Sequence, residues 1–74
     1  LTVRARICRR LLALAAQDPN VRITQDDLAK LVGVTRATLR RCITDLAAEG
    51  ALETGYRELR VANATVLARY RDEQ

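Results

Sequence analysis

Between Thr24 and Leu46 two amphipathic segments are joined by one tight turn, and this stretch constrains the fold more than any other in the chain. Thr24 has the character of a helix N-cap. Asp27, three residues on, can complete a capping box, with Asp in place of the usual Glu. Asp26 and Asp27 also suit the positive end of a helix dipole and are read as dipole partners, not as catalytic carboxylates. Leu28, Leu31 and Val32 supply a stripe for burial, and Gly33 ends the segment as a residue that takes positive φ freely. Only Val34 separates Gly33 from Thr35, a second N-cap, which opens a segment running to about Glu49 and stopped by Gly50. At about 100° per residue, Leu39, Cys42, Ile43 and Leu46 cluster on one side of this second segment. The opposite side presents Ala37, Arg41, Thr44 and Ala48, with Arg36 and Arg40 on one flank. Two helices joined in this way form a helix-turn-helix.

The flanks extend the pattern. Thr2 to Gln17 is expected to be a helix capped by Thr2, with Val3, Ile7, Leu11 and Leu14 as its apolar stripe. Asp18-Pro19-Asn20 is a turn signal, and Val21-Arg22-Ile23 alternates as a short strand would. Ala51 to Thr54, Gly55-Tyr56-Arg57 and Glu58 to Val61 read as a β-hairpin with Leu52, Leu59 and Val61 facing inward. Asn63 can cap a last helix whose apolar contacts are Val66, Leu67 and Tyr70, and the tail 71–74 is expected to fray. The expected fold is mainly α with a small β-hairpin wing. It is a winged helix-turn-helix in the order helix, short strand, helix, helix, two-stranded wing, helix. One domain fills residues 1–74, with the helix-turn-helix at 25–47 and the wing at 51–62.

Composition narrows the function classes. Seventy-four residues make one small domain, and without Phe, Trp or Met the core must be aliphatic and small. Neither His nor Ser is present, and no glycine-rich phosphate loop occurs, so no enzyme is expected. Cys8 and Cys42 lack metal-ligand spacing and are read as small buried residues in a reducing, cytoplasmic compartment. The longest apolar run, Leu11 to Ala16, is far too short to span a membrane. The net charge of +4 comes almost entirely from Arg. Four arginines and no acid lie in residues 1–17, whereas residues 33–50 set three arginines against Asp45 and Glu49. Charge is therefore compatible with a nucleic-acid partner without selecting one. Placement is more telling: Arg36, Arg40 and Arg41 near the start of the second helix suit a helix tip entering the major groove. The four early arginines, Arg4, Arg6, Arg9 and Arg10, are read as solvated or packed on a neighbouring domain, with DNA contact as the alternative, foremost at Arg4.

The stretch from Ile23 to Leu52, with Ala29 as the small residue, Gly33 as the turn glycine and Leu39 as the core aliphatic, resembles the C-terminal DNA-binding domain of the cyclic-AMP receptor protein/Fnr family of bacterial transcription regulators. The likeness continues through the first helix, the wing and the last helix. It implies sequence-specific binding of double-stranded DNA, with the recognition helix in the major groove and the wing on the backbone. The family pattern Ser/Thr-Arg-Glu-Thr, followed by an Arg, becomes Thr35, Arg36, Ala37, Thr38 and Arg41. The implied base-reading residues are Arg36, Ala37, Arg40 and Arg41, with Arg40 adding a contact of its own. The implied phosphate contacts are Gln25, Thr35, Thr38, Tyr56 and Arg57. Ala37 replaces the family's frequent Glu, so preference there should shift from cytosine toward a thymine methyl. Tyr56 remains open between a DNA-facing residue and a simple turn residue. The resemblance also implies a larger, homodimeric regulator, which this chain, starting at Leu1, is read as part of. A cyclic nucleotide or other effector would bind in an N-terminal domain, no cofactor would bind here, and RNA polymerase is a further expected partner. The competing reading is a winged helix used as a protein-interaction module without DNA binding.

Overall fold

The structure is a computed structural model describing residues 2–73. Four helices and a small antiparallel sheet make up the fold: α1 (Val3–Leu14), β1 (Asn20–Val21), α2 (Gln25–Val32), α3 (Arg36–Ala48), β2 (Leu52–Gly55), β3 (Glu58–Val61) and α4 (Ala64–Arg71). This is the expected winged helix-turn-helix, with one addition. The strand before α2 joins the hairpin, giving a three-stranded sheet in the order β1-β3-β2 with Val21 opposite Leu59 and Leu52 opposite Val61. The strand is shorter than expected and starts one residue earlier, because Ile23 already turns toward the cap of α2.

Each helix starts on the cap expected of it. Thr2, Thr24 and Thr35 each accept the amide of the residue three positions on, and Asn63 accepts from Thr65 and Val66. These contacts satisfy amides that the first turn of a helix cannot pair. At Thr24 half of the capping box forms: the Thr24 hydroxyl accepts from the Asp27 amide at 3.1 Å. Gly33 and Gly50 end α2 and α3 with φ of +84° and +77°. At Gly50 the Ala51 amide reaches Leu46 O and the Gly50 amide reaches Ala47 O, the paired bonds of a Schellman stop.

The core is aliphatic, led by Ile7, Leu11, Leu28, Leu39, Ile43, Leu46, Leu52, Leu59 and Leu67, all essentially inaccessible. Two stripes are rotated from their expected positions. On α1 the buried residues are Ala5, Ile7, Cys8 and Leu11, while Val3 and Leu14 are each 39% exposed. Taking Ile7 as zero, Leu11, Cys8 and Ala5 lie at roughly +40°, +100° and +160°, whereas Val3 and Leu14 lie at roughly −40° and −20°. The buried arc is thus centred on the Cys8 side, facing α4, and Val3 and Leu14 sit on its rim. On α2 the inward residues are Leu28 and Ala29, with Val32 half-buried; Leu31, on the far side of Leu28, is 44% exposed.

Residues 71–73 make contacts where the sequence predicts fraying. Arg71 belongs to α4, and Glu73 accepts three bonds of 2.8–3.0 Å from Arg4. The Arg4 guanidinium lies 4.1 Å from the centroid of the Tyr70 ring, and the Tyr70 hydroxyl donates to Glu49. Tyr70, half-buried against the core, thereby links α1 and α4 to the residue that caps the end of α3. Gln74 lies outside the described residues.

Candidate nucleic-acid interface

Helix α3 is divided lengthwise. Leu39, Cys42, Ile43 and Leu46 are sealed into the core, while Arg36, Ala37, Thr38, Arg40, Arg41 and Thr44 are exposed. The division follows from the spacing of the four apolar residues and from the cap at Thr35, which fixes where the helix begins. The exposed residues crowd the N-terminal half, where the helix macrodipole is positive.

The three arginines do not act as a bundle. Arg36 Nε lies 3.1 Å from Asp26 Oδ1 at the start of α2, in an ion pair whose partners are 68% and 49% exposed. Arg40 faces a cleft between the start of α2 and the wing, shared with Gln25, Asp26, Gly55, Arg57 and Glu58. Arg41 leans the other way, into a shallow groove with Thr2, Val3, Thr38 and Asp45. The side chains therefore fan from one helix end across two flanks.

The residues expected on the phosphate side fall around this tip. Thr35 Oγ1 accepts the Thr38 amide and donates to Thr38 Oγ1 at 2.9 Å, which leaves the Thr38 hydroxyl proton for an outside acceptor. Gln25 is half-buried, and its Oε1 is enclosed without a hydrogen-bond partner among the described residues. Only its Nε2 is left for an outward contact. In the wing, Gly55 pairs with Glu58 across a two-residue turn, Tyr56-Arg57. Tyr56 is 90% exposed at that tip, and Arg57 is held at φ +55°, the one non-glycine residue with positive φ among the described residues. Arg57 borders the same cleft as Arg40.

Two residues make contacts that the sequence does not signal. Arg4, read as solvated or packed on a neighbouring domain, is engaged within this one: Glu73 accepts from its guanidinium, the Tyr70 ring lies beside it, and the carboxylate raises its pKa. Asp26, read only as a dipole partner, is also the counter-ion of Arg36. No local pattern signals that contact, because it crosses from one helix to the next. Cys8 and Cys42 are buried free thiols, and desolvation pushes their pKa values up to about 12 and about 11. Such thiols are poor nucleophiles at neutral pH. No three His, Cys, Asp or Glu groups converge on a possible metal position among the described residues. No helix there is long and apolar enough to cross a membrane.

Comparison with known proteins places this geometry. The family model of the Crp-like helix-turn-helix domain matches residues 5–70. Among solved structures, a CRP-family transcriptional regulator from Thermus thermophilus is 26% identical over 99% of this chain and 42% of its own, with a TM-score of 0.88. The catabolite activator protein of Thermus thermophilus is 32% identical over 93% of this chain and 33% of its own, with a TM-score of 0.85. A further CRP/FNR-family regulator from that organism is 25% identical over 97% and 41%, with a TM-score of 0.88. The chain thus spans between a third and somewhat over two fifths of these regulators. Among curated proteins nothing matches. Matched over nearly its whole length, the chain belongs to the Crp-like helix-turn-helix domains, which are transcription-regulator domains and not enzymes.

Proposed function

We propose that this domain binds double-stranded DNA with sequence preference, as the output domain of a bacterial transcription regulator. The N-terminal half of α3 enters the major groove and the wing rests on the backbone. One observation carries the proposal: a helix whose apolar side is closed off in the core offers Arg36, Ala37, Arg40 and Arg41 at its open, dipole-positive end. Arg36 and Arg41 read guanine O6/N7, at about 1–3 kcal/mol of discrimination each, Arg40 adds a base or phosphate contact, and Ala37 meets a thymine methyl. Thr35, Thr38, Gln25, Tyr56 and Arg57 set register on the phosphates. In the longer protein, pairing of two copies would set two α3 helices roughly 34 Å apart on a near-palindrome, with an effector bound elsewhere and RNA polymerase as a further partner.

A titration with labelled random-sequence duplex tests this reading. Arg57 alone, or Arg57 with Arg40, neutralises one or two phosphates and gives a salt slope of about −0.9 to −1.8, so affinity should fall roughly 3- to 12-fold between ~50 and 200 mM salt. Absence of binding at low salt, or binding indifferent to salt, contradicts it and favours a protein-interaction module.

A further inference from the structure

We infer that Asp26 is a positioning residue for base reading by Arg36, an inference that rests on the DNA-binding reading above. Arg36 is the first residue of α3 and Asp26 the second of α2, so the turn at Gly33 brings the two helix starts together. The ion pair engages Arg36 through Nε, at 3.1 Å from Oδ1. The contact is an ion pair without hydrogen-bond alignment, and the Arg36 side chain is 68% exposed. A carboxylate on the Nε side biases the guanidinium toward α2 and leaves the Nη groups, which bidentate recognition of a guanine edge uses, for an outside acceptor. A long Arg side chain otherwise samples many rotamers, and ordering it on contact weakens binding. Asp26 does that ordering in advance.

The same carboxylate stands where DNA phosphates approach, so its charge opposes non-specific binding. Positioning and repulsion make different predictions. Loss of a strut lowers preference for the correct base; loss of repulsion alone raises affinity for every duplex by one factor. Ion pairs this exposed contribute little to folding, so Asp26→Asn should leave the domain intact.

The test uses the 74-residue chain and a duplex selected by it from a randomised library, together with variants of that duplex in which each guanine is replaced in turn. In wild type, Arg36→Ala identifies the guanine that Arg36 reads. Asp26→Asn should then tighten binding to random duplex while reducing discrimination at that guanine by at least about twofold, the lower end of coupling between contacting residues. Asp26→Glu should restore part of the discrimination, and Asp26→Asn should change nothing at that guanine once Arg36 is Ala. Unchanged discrimination in Asp26→Asn, with Arg36→Ala still abolishing it, overturns the inference alone. A library that yields no preferred duplex, or an Arg36→Ala variant with unaltered preference, overturns the base-reading role of Arg36 and the inference with it.

Discussion

Replacing Arg57 by Gly should move stability and DNA binding in opposite directions. The wing turn holds Arg57 at φ +55°, where a side chain's Cβ crowds the following carbonyl at a cost of about 1–2 kcal/mol. Glycine escapes that cost but enters the turn from a more flexible unfolded chain, which offsets about 0.5–1 kcal/mol. The net is a gain of about 0.5–1 kcal/mol, or about 2–8 °C in Tm for a domain this small. Arg57→Ala removes the same cation and keeps the strained φ, so its Tm should stay near wild type. Both variants lose one phosphate contact, so the slope of log affinity against log salt should shrink by about 0.9 in each. Thermal melts followed by circular dichroism, paired with salt-dependent duplex titrations, read both effects. A Tm for Arg57→Gly at or below wild type refutes the strain argument. An unchanged salt slope in both variants refutes the wing's contact with the backbone.

Other consequences are equally direct. Gly50→Ala meets no atom within 4 Å, so its cost is backbone alone. About 1 kcal/mol, or a Tm lower by about 4–8 °C, is expected, and an unchanged melt contradicts the Schellman stop. The thiols of Cys8 and Cys42 are shifted from an ordinary 9.0 up to about 12 and about 11 by desolvation. Because the folded values are raised, their contribution is complete below pH 9 and is lost as pH rises toward 11–12, by up to about 1.4 kcal/mol per pH unit per thiol. Denaturant midpoints across that window check this, and Cys8→Ala should flatten the decline. Arg4 and Glu73 are 45% and 36% exposed, so a double-mutant cycle between Arg4→Ala and Glu73→Gln should give a coupling below about 1 kcal/mol. A much larger coupling would make the tail contact a principal fastener of α1 to α4.

Local signals in this sequence were faithful and long-range ones were silent. Thr2, Thr24, Thr35 and Asn63 each act through atoms within three residues, and Gly33 and Gly50 stop helices by their own φ, so element order could be read directly. Spacing fixes the period of an apolar stripe but not which neighbour it meets. That is why Val3, Leu14 and Leu31 were assigned inward although the packed arcs centre on Cys8 and on the Leu28–Ala29 side. The pairing of β1 with β3 and the Arg4–Glu73 and Arg36–Asp26 ion pairs join residues from different elements, where no spacing rule reaches. At the interface, exposure of the α3 tip could be anticipated from the opposite apolar face. The helical projection also separates Arg40 from Arg41, but it does not give what each meets, because that depends on where the wing and α1 lie.

The most direct measurement compares wild type with Arg41→Ala on a library-selected duplex and on a scrambled duplex of equal length at fixed salt. Base reading by α3 requires the ratio of the two affinities to fall by about 5- to 150-fold in the variant, equivalent to about 1–3 kcal/mol, with affinity for the scrambled duplex changing far less. Equal weakening on both duplexes, leaving the ratio as in wild type, would show that Arg41 contributes charge and nothing more, and would contradict sequence reading from that face.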